Sequence, residues 1–123
     1  MAYDPNNVFA RILRGELPCK KVYEDDQVLA FHDIRPQAPV HVLVIPKKPY
    51  VSLEDFSATA SPAEQGAFFA AVGKIARELG LAGNGYRILA NHGPDSNQEV
   101  PHFHVHIFGG RNLGRLLEPP RSA

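Results

Sequence analysis

The stretch VPHFHVHIFGG, residues 100–110, places a histidine at every second position: His102, His104 and His106. Successive side chains of a β-strand point to opposite faces, so this alternation predicts a strand with three imidazoles on one face and apolar residues on the other. Neighbouring histidines would start about 7 Å apart along such a strand. Two of them could chelate one metal ion, but a tetrahedral zinc site would need ligands from elsewhere in the chain. The run therefore predicts a shared imidazole surface, used for metal binding, for chemistry or for packing.

The composition is that of one globular domain. The chain has 123 residues, with 13 basic and 13 acidic side chains, so its formal net charge is zero. This balance argues against a general nucleic-acid binder or an anionic-membrane binder. A single cysteine, Cys19, rules out an intramolecular disulfide and fits a reducing compartment. There is no signal-peptide pattern at the start and no run of about 20 apolar residues, so we expect a soluble, cytoplasmic protein.

Two helices are predicted from the signals at their ends. Asn6 or Asn7 can cap a short helix that Gly15 would end. Residues 61–64, SPAE, supply an N-cap, a proline at the first helical position and a capping-box glutamate. The apolar residues that follow keep helical spacing up to residue 79, so we expect the second helix to span Ser61 to Leu79.

Strands are predicted between and after these helices. KKVYEDDQVLAFHD, residues 20–33, reads as two strands joined by a turn, and VHVLVIP, residues 40–46, as a third. A fourth lies in GNGYRILAN, residues 83–91, and the histidine run is the fifth. We expect residues 47–60 to form an irregular connection. The pattern predicts an α+β fold with about five strands in a mostly antiparallel sheet and two helices.

Several polar residues outside the histidine run can be interpreted from their local sequence. His41 lies in an apolar strand, where it is either a core histidine bonded to a backbone carbonyl or a member of the histidine cluster. Asp33 follows a strand and, on local signals alone, is a turn-initiating aspartate. His92 reads as a surface-loop residue, and the loop of residues 93–97 could expose backbone N–H groups to an anion.

The segment NQEVPHFHVHIFGGR, residues 97–111, resembles the histidine triad (HIT) family, whose signature is His-φ-His-φ-His-φ-φ with φ apolar. Three further blocks, VFARILRGELP, VYEDDQVLAFHDIRPQAPVHVLVIPKK and GYRILAN, are similar in order to blocks of the HINT branch of that family. The resemblance covers residues 7 to about 113 and implies a single domain over 1–123 with a HIT-like fold and a short tail, 114–123. It also implies a homodimer and a nucleotidyl hydrolase or transferase that acts at an α-phosphate without a cofactor.

The resemblance also assigns roles to residues of this chain. His104 would attack phosphorus, His102 and His106 would flank it, bind phosphate oxygens and orient its ring, and His41 would be the fourth histidine of the site. Asp33 would accept both ribose hydroxyls. The residues implied in contacts to base and phosphate are Phe9, Ile12, Phe31, His32, Ile34, Leu43, Asn91, Gln98, Glu99 and Val100.

Three departures from the family pattern are visible. Glu99 stands where some relatives carry a serine, and an inward-pointing carboxylate would repel a phosphate, so we expect it to face solvent or a leaving-group amine. The tail lacks the tryptophan of eukaryotic relatives. Asn7 and Ala10 stand where some relatives have zinc-binding cysteines, so we predict no metal.

Three functions are open on these grounds. The first is a purine nucleoside phosphoramidase that acts on AMP or GMP derivatives through a nucleotidyl-histidine intermediate. The second is another HIT activity, such as dinucleoside-polyphosphate hydrolysis or nucleotidyl transfer. The third is a nucleotide- or zinc-binding interaction protein with little catalysis, in which His102 and His104 or His106 would bind zinc together with His41.

Overall fold

The computed structural model describes residues 2–117. Its elements in chain order are helix α1 (Val8–Leu13), strands β1 (Lys21–Glu24), β2 (Val28–His32) and β3 (Val40–Pro46), helices α2 (Leu53–Thr59) and α3 (Pro62–Glu78), and strands β4 (Tyr86–Leu89) and β5 (Val105–Gly109). A 3-10 turn, Pro94–Ser96, lies between the last two strands.

The five strands form one antiparallel sheet in the order β1-β2-β3-β5-β4. The central strands β3 and β5 pair so that His41 lies opposite Phe108 and Leu43 opposite His106. The expected α+β architecture with an antiparallel five-stranded sheet is therefore confirmed. The histidine run leads into strand β5, which lies between β3 and the edge strand β4.

The two faces of the sheet are covered differently. Helices α2 and α3 pack on one face around the main core, whose largest buried side chains include Phe56, Phe68, Phe103, Ile75 and Ile107. Helix α1 covers part of the other face, where a smaller cluster joins Phe9 to Leu29, Phe31, Leu43 and Ile45. The smaller cluster leaves room on its face for the polar residues of the histidine run.

Helix α1 is short and held at its start. The Asn7 side chain accepts a hydrogen bond from the Ala10 N–H at 2.9 Å, so Asn7 is the N-cap of the two asparagines considered. The helix ends at Leu13, and Gly15 follows with φ of 78°, a left-handed conformation that glycine adopts at little cost. Phe9 packs edge-on against Phe31 at a centroid distance of 5.5 Å, which fixes the helix on β2.

The expectation of an irregular connection over residues 47–60 is wrong, because helix α2 lies there and the fold has three α-helices rather than two. Its capping box explains why it forms. Ser52 accepts from the Glu54 N–H, and the Asp55 carboxylate accepts from the backbone N–H groups of Val51 and Ser52 at 2.8 Å. Phe56 on this helix is fully buried, which anchors so short a helix to the core.

Helix α3 begins with Ser61 as its N-cap and proline at its first position, as expected. The Glu64 carboxylate, expected to complete a capping box, instead accepts from the Tyr50 hydroxyl at 2.9 Å. The helix ends at Glu78 with Leu79 as its C-cap.

Strand β5 starts later than the histidine alternation predicts, at Val105 rather than near residue 100. Before that point the backbone leaves the ladder, because the Phe103 N–H donates to the Tyr50 carbonyl instead of to β3. The alternation between faces persists all the same. Phe103 and Val105 belong to the main core, while His104 and Phe9 contact each other on the opposite side.

Among residues 2–117, no helix combines the length and the hydropathy that a bilayer crossing requires.

Candidate functional site

His104 lies at the centre of the histidine cluster. Its ring is 7% exposed and packs edge-on against Phe9 and beside His106, each at a centroid distance of 5.0 Å. Nδ1 lies 2.7 Å from the carbonyl oxygen of His102. A carbonyl oxygen only accepts, so Nδ1 carries the proton of the neutral ring and Nε2 keeps its lone pair. The described residues offer this Nε2 no hydrogen-bond partner, so His104 is arranged as a nucleophile or metal ligand.

His102 is buried completely, and both of its ring nitrogens are used within the chain. Nε2 lies 2.7 Å from the Pro46 carbonyl oxygen, and Nδ1 lies 2.6 Å from the hydroxyl of Tyr3. No ring nitrogen remains for a phosphate, so the side chain cannot bind one in the way the resemblance implied. What His102 offers the centre of the site is its backbone carbonyl, which holds the ring of His104.

His106 and His41 form a hydrogen-bonded pair across β5 and β3. His41 Nδ1 accepts the backbone N–H of Gln37 at 3.1 Å, so the proton of a neutral His41 is on Nε2. That Nε2 lies 2.9 Å from Nδ1 of His106, which therefore accepts. The proton of His106 is then on its Nε2, which has no partner among the described residues. This N–H is a free hydrogen-bond donor beside His104. Of the two readings of His41, the structure supports membership of the cluster.

Asp33 lies at the edge of the same group. Its Oδ1 accepts the backbone N–H of Arg35 at 2.7 Å, which is the turn-forming contact expected from its position in the sequence. Its Oδ2 lies 3.5 Å from His41 Nε2. The carboxylate is half-buried, so it is close enough to the histidines to influence them and open enough to accept hydroxyl groups.

Burial lowers the pKa of all four clustered histidines, because the charged ring would lose its hydration. The pKa of His102 and that of His106 fall to about 4, and neighbouring imidazoles add to the decrease for both. For His41, the charge of Asp33 opposes the effect of burial on its pKa. The four rings are therefore neutral at pH 7, and the tautomers assigned above apply.

An apolar surface adjoins the histidines. Phe9, Phe31 and Leu43 are buried in the α1-side cluster, and Ile12 packs against it in part. Two residues expected near the base are exposed: Ile34, with 91% of its surface accessible, and His32 at the end of β2. An unpartnered isoleucine with that exposure is available for a flat apolar ligand.

The loop before the histidines is held by its backbone conformation and by one side chain. Asn97 adopts a left-handed conformation with φ of 59°, and the Gln98 side chain braces the loop by donating to Val51 and Val100 carbonyls and accepting from the Gly93 N–H. The amide of Gln98 is thereby fully used. The backbone N–H groups of Glu99 and Val100 donate to no group of residues 2–117 and are free for an anion.

The other polar residues of this loop differ in exposure. Asn91 is half-buried and Glu99 is exposed, and the Glu99 carboxylate acts on His104 only through its charge, which opposes the decrease of the His104 pKa. His92 is exposed, as the sequence suggested, and its Nδ1 lies 2.7 Å from the Ser52 hydroxyl at the start of α2.

A metal ion could be considered at Asp33, His41 and His106, whose ligand atoms lie within 4.8 Å of one another. The hydrogen bonds oppose it. Binding at His41 Nε2 would move the ring proton to Nδ1, where the Gln37 N–H already donates. This set of three also differs from the histidines that the sequence suggested for zinc, since neither His102 nor His104 belongs to it.

Two groups that organise the site had no signal in the sequence. Tyr3 and the Gln37 amide each bond to a histidine through a contact that depends on the tertiary path of the chain. The histidine spacing alone could not indicate either.

Comparisons with known proteins agree with this arrangement. Residues 14–113 match the family model described as the HIT domain. An uncharacterized HIT-like protein of Azospirillum brasilense is 64% identical over 115 residues, 94% of each chain. The purine nucleoside phosphoramidase of Escherichia coli K12 is 44% identical over 110 residues, 89% of this chain and 92% of that protein. The solved structure of a HIT family hydrolase from Clostridium thermocellum superposes with a TM-score of 0.84 at 39% identity, covering 91% of this chain and 97% of that one.

Proposed function

The chain belongs to the HIT family and resembles its hydrolases, and from that premise we propose that it is a purine nucleoside phosphoramidase. It would cleave the P–N bond of a nucleoside 5′-phosphoramidate, an AMP or GMP derivative. The observation that carries the proposal is the tautomer of His104, whose Nδ1–H is committed to the His102 carbonyl while Nε2 keeps its lone pair. The name of the Escherichia coli relative supports the choice of the P–N bond.

In the first step, the lone pair of His104 Nε2 attacks the α-phosphorus and the P–N bond breaks. The amine departs with the electron pair of that bond and takes a proton from solvent. The His104 ring then carries a positive charge, which its Nδ1–H shares with the His102 carbonyl at 2.7 Å. In the second step, water attacks phosphorus, displaces His104 and gives a proton to solvent, which leaves a nucleoside monophosphate and a neutral ring.

His106 acts in this proposal as a hydrogen-bond donor rather than as an acid. Its pKa of about 4 leaves it neutral at pH 7, with the proton on the free Nε2. A fixed N–H beside the nucleophile stabilises the charge that develops on a phosphate oxygen in the transition state. The N–H groups of Glu99 and Val100 would hold the other oxygens, and His102 would orient the nucleophile without contacting the phosphate.

The nucleoside would lie on the apolar surface next to Asp33. The carboxylate would accept both ribose hydroxyls, and Phe9, Phe31 and Leu43 with the exposed Ile34 would enclose the base. Ile12 and His32 would border the same pocket, and Asn91 and Gln98 would support its phosphate end. A site of this kind needs no metal or cofactor for either step.

We also propose that the protein is a symmetric homodimer that buries α3 and the neighbouring strand. β4 is an edge strand of the sheet, and Tyr86, Ile88 and Leu89 on it are large apolar residues that remain exposed. Phe69 on α3 is also exposed, whereas Phe68 and Val72 belong to the core. An edge strand with exposed apolar side chains, together with an exposed phenylalanine on a helix, is a typical surface for self-association.

The test is to trap the covalent intermediate. Native protein would be mixed with adenosine 5′-phosphoramidate, quenched within milliseconds and digested, and mass spectrometry should find an acid-labile nucleotidyl group on the peptide that contains His104. His104→Ala should lose the adduct and about 10³-fold or more in turnover, while AMP still binds. His92→Ala, which removes an exposed histidine outside the cluster, should keep the adduct.

Three outcomes would contradict the proposal. An adduct on His41, His102 or His106 would reassign the nucleophile. Turnover of diadenosine polyphosphates that exceeds turnover of the phosphoramidate would favour the other HIT activity. Loss of nucleotide binding on treatment with a chelator would instead favour the zinc-binding protein.

A further inference from the structure

Tyr3 contacts the histidine cluster but has no role in the chemical steps proposed above. Its hydroxyl lies 2.6 Å from Nδ1 of His102, and its ring packs edge-on against the imidazole at a centroid distance of 5.6 Å. The residue lies before the segment of residues 14–113 that matches the HIT domain. The match to the family model therefore says nothing about its role.

The direction of this hydrogen bond follows from the other nitrogen of His102. The Pro46 carbonyl can only accept, so Nε2 of His102 must be its donor. Because the ring is neutral, Nδ1 then has a lone pair and no proton, and the Tyr3 hydroxyl is the donor. His102 is fully buried, so no solvent reaches Nδ1 in place of that hydroxyl. The two contacts together permit one tautomer and one ring orientation.

His102 passes this restraint to the nucleophile. Its ring is tied at one nitrogen to Tyr3 and at the other to Pro46, while its backbone carbonyl accepts Nδ1–H of His104. The two ring contacts anchor the His102 side chain on both sides, and through it they restrain the position of the backbone carbonyl that holds His104. The chain of contacts thus runs from Tyr3 through His102 to the proposed nucleophile.

The segment that carries Tyr3 is itself fixed. The Asp4 carbonyl accepts the backbone N–H of Asn7 at 3.2 Å and its side-chain N–H at 2.7 Å, and the Asp4 carboxylate accepts the Asn6 N–H at 2.9 Å. These bonds join Tyr3 to the buried N-cap of α1. The hydroxyl is therefore presented to His102 by a hydrogen-bonded turn.

We propose that Tyr3 is a positioning residue, which fixes the tautomer and orientation of His102 and so holds His104 with Nε2 directed at the substrate. The role rests on the proposed function, since it concerns the nucleophile of that reaction. It is also a statement about histidine protons, which can be observed without substrate.

Tyr3→Phe is the informative variant, because it removes one oxygen atom and keeps the aromatic packing. His102 Nδ1 would be left buried without a donor, and the ring would gain a second tautomer or orientation. We expect kcat to fall about tenfold, the effect of one unpaired buried group on a transition state. The KM for nucleotide should change little, because ribose and base contacts lie on other elements.

The experiment combines two readouts on untagged, full-length protein with isotopically labelled histidine. Long-range proton–nitrogen correlation spectra report which ring nitrogen of His102 and His104 is protonated, and steady-state kinetics with adenosine 5′-phosphoramidate give kcat and KM. Tyr23→Phe is the matched control, since Tyr23 lies on the edge strand β1 and its hydroxyl bonds to Asp25 just after that strand, away from the histidines. The control should match the wild type in both readouts.

The proposal is supported if Tyr3→Phe, unlike Tyr23→Phe, shows mixed tautomers at His102, a perturbed His104 and a lower kcat. It is overturned if the histidine spectra are unchanged, whatever the kinetics, or if the spectra change and kcat does not. A wild-type protein without turnover would contradict the proposed function alone. The spectra would then still decide whether Tyr3 fixes the two rings.

Discussion

Three histidines of the cluster owe their tautomer to a backbone group, and the fourth, His106, takes its tautomer from His41. Carbonyl oxygens of Pro46 and His102 fix the donors of His102 and His104, and the Gln37 amide fixes the acceptor of His41. Since burial keeps the rings neutral, these partners decide which nitrogen is free to react. The four imidazoles therefore differ in which ring nitrogen carries the proton and in which nitrogen remains free.

Asp33 has a carboxylate oxygen that remains available to a ligand. Its Oδ2 is close to His41 but 3.5 Å from it, so the carboxylate retains accepting capacity for two hydroxyls. Asp33→Ala should weaken AMP binding by about 1.5 to 3 kcal/mol, because hydrogen bonds to a charged acceptor are the stronger kind. Titration calorimetry with AMP measures this loss.

The ribose contact can be separated from the effect of charge. Dideoxy-AMP, which lacks both ribose hydroxyls, should bind the wild type and Asp33→Ala with equal affinity. Asp26→Ala, which removes an exposed carboxylate at the β1–β2 turn, should leave AMP binding unchanged. Equal binding of AMP and dideoxy-AMP to the wild type would refute the ribose role.

At the scale of elements, local signals predicted most of the fold. Strand β3 spans Val40–Pro46 as the apolar run indicated, and α3 starts at its Ser-Pro pair. Helix α2 was missed because only Phe56 on it is buried, so it shows no apolar periodicity; the Ser52–Asp55 capping box was the available signal. The start of β5 could not be predicted, since it depends on the contact between Phe103 and Tyr50, which are distant in sequence.

In the site, too, local sequence patterns could be predicted and contacts between distant segments could not. The spacing of the triad and the strand position of His41 are local patterns, and both led to residues that cluster in space. The hydrogen bonds from Tyr3 and Gln37 depend on how distant segments meet. The sequence therefore indicated which side chains form the site but not which ring nitrogen of each histidine carries the proton.

The exposed side chains of helix α3 indicate how two copies of the protein would assemble. Lys74 on α3 reaches the Tyr23 ring on edge strand β1, and Phe69 lies about 140° around the helix from Lys74, on the side away from β1. We therefore expect Phe69 to lie in an interface with β4. The wild type should sediment as a dimer at micromolar concentration, and Phe69→Glu should sediment as a monomer, because burial of an unpaired carboxylate is costly.

Ala67→Glu adds the same charge on the Lys74 side of α3 and should remain dimeric. A wild type that sediments as a monomer would overturn the assembly. A dimer that tolerates Phe69→Glu and is disrupted by Ala67→Glu would place the interface on the other side of the helix.

At the scale of the whole molecule, burying neutral histidines makes folding depend on pH. The unfolded chain binds protons at an ordinary histidine pKa near 6.5, whereas folded His102 and His106 bind them only near pH 4. Between these values the unfolded state holds more protons than the folded state. The resulting stability is fully present above pH 6.5 and is lost as the pH falls toward 4.

We predict that the free energy of unfolding, measured with urea at a series of pH values, falls between pH 6.5 and 4.5, with His102 alone contributing about 2 to 3 kcal/mol of the loss. His102→Gln removes this titrating group, so its stability should depend less on pH in that window, even though the variant is less stable at pH 7.

The carboxylates affect stability in a different pH range. Glu24, whose pKa is lowered to about 2 by Lys21 and Lys47, loses its contribution only as the pH falls below about 4.5. Above that pH the stability of Glu24→Gln should therefore change with pH in parallel with that of the wild type. If wild type and His102→Gln lost stability in parallel from pH 6.5 to 4.5, the acid sensitivity would have to come from groups other than the buried His102 imidazole.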